Sequence, residues 1–147
     1  MITDLKKHII LSEGFRQKLY RDTSERTGFE GKQGKLTIGY GYNIDDLGLP
    51  EDICMMLLDR KLAESIDTLS EKLPWTDGMD EVRRGVFIEM LYNMGWPTFS
   101  AFKGTISAAE RGDYKLTSEH MLDSLWARQV GIRAERMAKM METGTPY

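Results

Sequence analysis

The stretch EGFRQKLYRDTSERTGFEGKQGKLTIGYGYN, residues 13–43, decides how the rest of the chain is organised. Glu13 ends an apolar helical segment and is followed at once by Gly14. Asp22 ends a run in which charged and apolar residues alternate, and segment 36–41 combines glycines with the β-branched and aromatic residues typical of strands. The stretch therefore predicts the end of a helix, two strands and a polar connection between them.

Glu13 and Asp22 are two carboxylates on separate elements that converge on one hairpin, the minimum apparatus for splitting a glycosidic bond. One carboxyl group must act as a general acid, and the other must stay ionised to activate water or stabilise positive charge. Glu13 follows an apolar run that suits a proton donor, whereas Asp22 lies between polar neighbours. Either carboxylate alone is more often a solvated surface group, so the spacing by itself is weak evidence.

The pattern E-G-x-R-x-K-x-Y-x-D-T, followed by T-I-G-x-G, resembles the catalytic signature of the phage lysozymes. This family, glycoside hydrolase family 24, comprises endolysins or muramidases and includes the T-even phage lysozyme. The resemblance continues in the same order through segments 82–84, 90–95, 124–126, 133–136 and 143–145. It therefore covers nearly the whole chain.

The resemblance implies an α+β fold that is mostly helical, with a small N-terminal β-lobe joined by a long helix to a helical C-terminal lobe. We expect one domain, residues 1–147. Its β-lobe spans about 13–48, its linking helix about 50–73, and its helical lobe about 77–147 together with the N-terminal helix. Apolar residues at helical spacing support the linking helix, which Pro74 should end: Ile53, Leu57, Leu58, Leu62, Ile66 and Leu69.

The other helices are predicted from periodicity and from stop residues. The first helix should turn Leu5, Ile9 and Leu11 inward. The main helix of the second lobe should begin at Thr76 or Asp77, stop at Gly95 and Pro97, and precede a buried Trp126. Shorter helices are expected near 98–103, 105–111, 115–127 and 131–141.

The resemblance also implies roles for three residues of the β-lobe. Glu13 matches the general acid, Asp22 the second carboxylate, and Thr37 the threonine whose hydroxyl orients a water. The implied reaction is hydrolysis, with inversion, of the β-1,4 bond between N-acetylmuramic acid and N-acetylglucosamine in bacterial peptidoglycan, which lyses the host cell.

Three further residues match positions outside the catalytic set. Tyr92 and Asn93 match an aromatic and a polar residue that line the cleft, although core packing explains Tyr92 equally well. Arg133 matches an arginine that holds the catalytic glutamate by an ion pair. A nearby cation favours the charged carboxylate and desolvation favours the neutral one, so the balance at Glu13 stays open.

The chain also departs from the family. Fourteen residues separate Asp22 from Thr37, more than in the family. Either segment 23–35 carries an insertion, which the intact context of Thr37 favours, or Thr23 or Thr27 has taken the role. His120 stands where the T-even enzyme has a substrate-contacting asparagine, so that role is not transferred.

Composition restricts the partners. The net charge of −3 argues against a nucleic-acid binder, and the basic segment 128–139 is better explained as a solvated helical face than as a wall-binding or membrane-binding patch. The two histidines lie far apart in sequence, so we expect no metal site, and we expect no cofactor. A single cysteine, Cys54, excludes an intrachain disulfide, and its apolar neighbours predict a buried thiol.

The sequence also bears on where the protein is located. We find neither a signal peptide nor a transmembrane stretch in the sequence. A wall-degrading enzyme of this kind would be a monomer that stays in the host cytoplasm until a holin or a similar route releases it to the periplasm. Peptidoglycan is then the expected partner, with no stable membrane insertion.

Two other functions belong to different classes. A lytic transglycosylase also needs one glutamate but no water-positioning partner, and its products end in 1,6-anhydro sugars. A catalytically silent wall-binding module would keep the fold without the chemistry. The intact set of Glu13, Asp22 and Thr37 argues against the second alternative, because a binding module has no use for the acid.

Overall fold

The computed structural model describes residues 2–22 and 34–147, and the chain divides into two compact units, residues 1–55 and 56–147. The predicted fold class is confirmed: the chain is α+β and mostly helical, with a small antiparallel sheet near its N-terminus and a helical C-terminal part. Of the expected polar connection, segment 23–33 lies outside the described residues. The expectation of a single domain stays a prediction.

The described part of the first unit consists of two helices and three strands. In chain order they are α1 (Ile2–Glu13), β1 (Arg16–Asp22), β2 (Lys35–Gly39), β3 (Tyr42–Asn43) and α2 (Ile44–Leu47). The strands pair antiparallel in the order β1-β2-β3, with an irregularity in β1 between Arg16 and Tyr20. Asp22 lies opposite Lys35, and Tyr20 lies opposite Thr37.

Side-chain caps tie the sheet to α2. Asn43 Oδ1 accepts a hydrogen bond from the backbone N–H of Asp46 at 3.1 Å and begins the helix. Lys35 Nζ meets Asp46 Oδ1 at 2.7 Å, and hydrogen bonds from Lys35 and Asn43 hold the pKa of Asp46 below its ordinary value. The start of β2 is therefore anchored to the segment that follows β3.

The inward orientation predicted for α1 is wrong within its own unit. Leu5, Ile9 and Leu11 are 60%, 47% and 82% exposed. Successive helical residues are about 100° apart, so Leu5 and Ile9 share a face while Leu11 points away from it. Leu5 and Ile9 line an apolar groove of about 420 Å³ along the helix, together with Tyr40 and other residues of α1.

The second unit contains most of α3 (Glu51–Lys72), whose first residues belong to the first unit. A short 3₁₀ helix, Pro74–Gly78, follows it. The remaining helices are α4 (Glu81–Phe99), α5 (Lys103–Glu110), α6 (Tyr114–Leu122), α7 (Leu125–Val130) and α8 (Ile132–Thr143). The long helix and its end before Pro74 agree with the prediction.

The start predicted for α4 is wrong by several residues. Thr76 and Asp77 lie in the 3₁₀ helix, and Asp80 is the residue that caps α4, because its carboxylate accepts from the backbone N–H of Arg83 at 3.0 Å. Gly95 does break the helix as predicted, with φ 75° and ψ 165°. Pro97 lies in the first turn of a short continuation that ends at Phe99 instead of stopping the helix.

The helix predicted over 115–127 is two helices. Asp113 caps α6 by accepting from the N–H of Leu116, and Ser124 Oγ caps α7 by accepting from the N–H of Ala127 at 3.1 Å. Ser124 has extended backbone angles, which end one helix and begin the next. The apolar periodicity continues across the break between α6 and α7, so the periodicity does not reveal where one helix ends and the next begins.

The hydrophobic core described here lies in the second unit. Phe87 and Phe99 meet edge to face, with ring centroids 5.3 Å apart, and Trp126 is buried as predicted. The buried thiol predicted at Cys54 is wrong, because this face of α3 is exposed. Other buried core members are Leu69, Val86, Met90, Leu91, Met121, Ala134, Met137, Ala138 and Met141.

Arg83 connects the start of α4 to the end of α8. Its guanidinium donates to the carbonyl oxygens of Met141 at 2.6 Å and Glu142 at 2.8 Å, which are free acceptors at the end of α8. The same group pairs with Asp80 at 2.9 Å and stacks over Tyr114, 3.9 Å from the ring centroid. Burial opposes the charge of Asp80, but the bonds from Arg83 outweigh it and lower its pKa.

We expect Arg83→Met to lower the free energy of unfolding by about 2 to 4 kcal/mol, because it leaves several charge-assisted hydrogen bonds unmade. Urea denaturation measures this loss. Arg111→Met is the control: its guanidinium meets Ser107 Oγ in an exposed setting, so its effect should stay within about 0.5 kcal/mol. Equal losses for the two variants would contradict the role given to Arg83.

Candidate active site

Glu13 is the last residue of α1, and the chain reverses immediately after it. Gly14 has φ 68°, and its N–H donates to the carbonyl oxygen of Ile10 at 3.0 Å, which closes the helix. The Glu13 side chain is exposed.

The turn between β2 and β3 lies directly against Glu13. Gly39 and Gly41 have φ of 67° and 69°, the left-handed region in which side chains are strained. A Cβ atom at Gly41 would overlap Glu13 Oε2 and would lie 2.7 Å from Glu13 Cδ. Gly41 is thus required twice, by its backbone angles and by the carboxyl group packed against it.

Asp22 and Thr37 share one face of the sheet. Residues directly opposite each other in antiparallel strands point to the same face, so the pairs Asp22–Lys35 and Tyr20–Thr37 place all four side chains together. Asp22 and Thr37 are diagonal neighbours in this arrangement. Thr37 is 2% exposed, and its hydroxyl donates to the carbonyl oxygen of Lys35 at 3.1 Å.

Glu13 and Asp22 mark opposite ends of the sheet. Glu13 lies at the Gly39–Gly41 turn, while Asp22 lies beside Lys35 at the start of β2. Four residue steps separate Lys35 from Gly39, about 13 Å along an extended strand. Thr37 lies midway between them.

Tyr92 and Asn93 occupy consecutive positions in α4 and therefore face different directions. Asn93 lines a cavity of about 620 Å³ formed by α4, α5, α6 and α7. Tyr92 lines a separate groove of about 600 Å³ between α3, α4 and α8. The expectation that both residues line one cleft stays a prediction.

His120 and Trp126 also line the cavity beside Asn93. The His120 ring lies over Gly104, where an added Cβ would be 3.2 to 3.4 Å from three ring atoms. The Trp126 indole N–H is buried and has no hydrogen-bond partner among the described residues. Neither feature has a signal in the sequence, because each depends on which helices meet.

Charged side chains contact residues that line the groove beside Tyr92. Lys61 Nζ lies 4.5 Å from the centroid of the Tyr92 ring. Arg133 pairs with Glu89 of its own unit at 2.8 Å. A pairing of Arg133 with Glu13 would join residues of the two units, and it stays a prediction.

Three other features bear on function: groups of metal-ligating side chains, membrane-spanning helices and the basic segment 128–139. Within residues 2–22 and 34–147, no three His, Cys, Asp or Glu side chains are grouped as metal ligands. The same part of the chain contains no helix that is both long and apolar enough to cross a membrane. In the basic segment 128–139, Arg136 stacks on Tyr147, with 4.6 Å between its Cζ atom and the ring centroid.

The chain is similar over nearly its whole length to two curated proteins of Dictyostelium discoideum. It is 21% identical to Probable T4-type lysozyme 1, a similarity that covers 99% of this chain and 97% of that protein. It is 22% identical to Probable T4-type lysozyme 2, with the same coverage. No protein-family model matches the chain.

Proposed function

We propose that the chain is a lysozyme that hydrolyses the β-1,4 bond between N-acetylmuramic acid and N-acetylglucosamine in peptidoglycan. Full-length similarity to two T4-type lysozymes supports the reaction class. The observation that carries the proposal is the position of Glu13, whose carboxyl group rests on Gly41 of the sheet that also bears Asp22 and Thr37. An acid, a second carboxylate and a hydroxyl are thereby gathered around one small sheet.

The proposed chemistry needs one proton donor and one activated water. Glu13 gives its proton to the glycosidic oxygen as the bond from that oxygen to the anomeric carbon breaks. Asp22 takes a proton from a water that Thr37 orients, and the resulting oxygen attacks the anomeric carbon from the opposite face. The configuration is inverted. We expect the two carboxyl groups to lie about 6.5 to 9.5 Å apart, the separation that inversion requires.

Substrate contacts in the second unit are assigned to Tyr92 and Asn93. Asn93 lines the cavity in the second unit, and its amide can donate to the carbonyl oxygen of an N-acetyl group. The ring of Tyr92 carries Lys61 on one face, which leaves its edge and its other face for a sugar.

The test is lysis of outer-membrane-permeabilised Gram-negative cells, with mass analysis of the released sugars and NMR of the first anomer formed. We expect hydrated reducing ends and inversion. Products that lack one water, as 1,6-anhydro sugars do, would identify a lytic transglycosylase instead. Wall binding without any released sugar would identify a catalytically silent module.

The biological setting proposed for this activity is that of a phage endolysin. The enzyme would be a monomer held in the host cytoplasm until a holin or similar route releases it to the periplasm. Co-expression in a bacterial host tests this setting: lysis should require the holin, and the purified protein should elute as a monomer. Lysis at the same rate without a holin would contradict the proposed release route.

We expect Thr37→Val to lower the rate of sugar release at least about tenfold, because it keeps the shape of the side chain but removes the hydroxyl that orients water. Thr117→Val is the matched control: Thr117 is also buried and its hydroxyl also donates to a backbone carbonyl, in α6. Both variants should lose similar stability. Unchanged activity in Thr37→Val would move the role to Thr23 or Thr27.

A further inference from the structure

Two exposed aromatic rings lie together where the end of α1 meets the turn between β2 and β3. Phe15 is 64% exposed and Tyr40 is 46% exposed, and their ring centroids are 5.3 Å apart at an interplanar angle of 45°. We call these two residues the aromatic pair. Isolated apolar side chains on a surface are common, but two aromatic rings in contact next to a carboxyl group of a proposed active site require an explanation.

The backbone fixes the aromatic pair relative to Glu13. Phe15 is separated from Glu13 by one residue, Gly14, whose left-handed backbone turns the chain from α1 into β1. Tyr40 lies between the two left-handed glycines of the turn on which the Glu13 carboxyl group rests. The contact between the rings therefore spans the same junction as the contact between Glu13 and Gly41.

The chemistry of the aromatic pair fits a carbohydrate. The faces of a pyranose ring carry apolar C–H groups that pack on aromatic rings, while its edge carries hydroxyl groups that form hydrogen bonds. The Tyr40 hydroxyl makes no hydrogen bond with the described residues, so it can donate to or accept from a sugar hydroxyl. An aromatic face next to an acid is suited to hold a sugar beside the bond that is cut.

We propose that Phe15 and Tyr40 form a stacking platform for one N-acetylhexosamine ring of the glycan strand, adjacent to the bond protonated by Glu13. This inference rests on the proposed lysozyme function and adds two substrate-binding residues to it. The proposed ligand is a sugar, because the rings share a backbone junction with the proposed acid.

Binding is tested separately from catalysis. In the Glu13→Gln background, a tetrasaccharide of alternating N-acetylglucosamine and N-acetylmuramic acid is titrated while intrinsic fluorescence is followed. We expect Phe15→Leu and Tyr40→Leu each to raise Kd about tenfold, the scale of one aromatic contact. Phe15→Tyr keeps an aromatic ring, so its Kd should equal that of the parent. Tyr147→Leu, which removes an exposed ring in the second unit, should leave Kd unchanged.

The leucine variants separate stacking from packing, because leucine keeps an apolar side chain and removes the flat ring. Equal Kd values for the leucine variants and the parent, with unfolding transitions also equal, would overturn the platform. If the parent protein fails to bind the tetrasaccharide and the wild type releases no sugar from walls, the proposed function itself fails. If the parent binds the tetrasaccharide and the leucine variants bind it with the same Kd, the proposed function stands and the platform is wrong.

Discussion

Replacing Glu13 with glutamine is expected to reduce sugar release from peptidoglycan at least about a hundredfold, the usual scale for loss of a general acid. Glutamine has the same shape and can occupy the same position against Gly41, but it has no proton to give to the leaving oxygen. Because the side chain is exposed, the free energy of unfolding should change by less than about 0.5 kcal/mol.

The matched control for this variant is Glu110→Gln. Glu110 is also an exposed glutamate at the last position of a helix, α5. It therefore reproduces the loss of a helix-terminal charge without touching the proposed acid. Turbidity loss of permeabilised cells and mass analysis of the products give the rates. Near-normal lysis by Glu13→Gln would remove Glu13 from the mechanism.

Gly41→Ala is expected to damage both stability and activity. An alanine there must adopt φ near 69°, which costs about 1 to 2 kcal/mol, and its methyl group would overlap the Glu13 carboxyl group. Glu13 would have to move from its place, and a misplacement of about 1 Å at a catalytic group can cost about a hundredfold in rate. Denaturation and sugar release measure the two effects.

Gly39→Ala separates strain from overlap. Gly39 has nearly the same φ, 67°, but a Cβ atom there would meet no other heavy atom within 4 Å. It should therefore show the loss of stability and keep most of the activity. Equal activity in the two alanine variants would mean that the packing of Glu13 on Gly41 does not position the acid.

A second comparison tests the same contact from the other side. In a Glu13→Ala background the overlap is gone, so Gly41→Ala should then cost only the backbone strain and should match Gly39→Ala in stability. The difference between the two backgrounds is the coupling energy of the Glu13–Gly41 contact. A coupling near zero would show that the carboxyl group yields freely to a methyl group.

Local order was largely accessible from the sequence, because it depends on residues that are near neighbours. The period of apolar residues and Pro74 predicted α3 and its end, and alternation with glycines predicted the strands around Asp22 and Thr37. Breaks made by side-chain caps were missed where periodicity continued, as at Ser124. A cap is one hydrogen bond at one position and leaves no periodic trace.

The candidate site residues also divide into what the sequence indicates and what only the tertiary structure shows. The sequence singled out Glu13 and Asp22 as paired carboxylates, and the resemblance to the phage lysozymes added Thr37. Only the tertiary structure shows that the carboxyl group of Glu13 rests on Gly41 and that Asp22 and Thr37 share a sheet face. These relations depend on strand register and on where a helix ends relative to a turn, which are set by pairing between distant residues.

By itself, the sequence predicted most of the elements, their order and a set of candidate site residues, since these follow from local backbone preferences and side-chain chemistry. The tertiary structure decided which of those residues meet. It places different cavities beside Tyr92 and Asn93, pairs Arg133 with Glu89, and binds Arg83 to the carbonyl groups at the end of α8. Contacts of this kind arise because packing brings together side chains from distant segments, and no local pattern encodes which partner each will find.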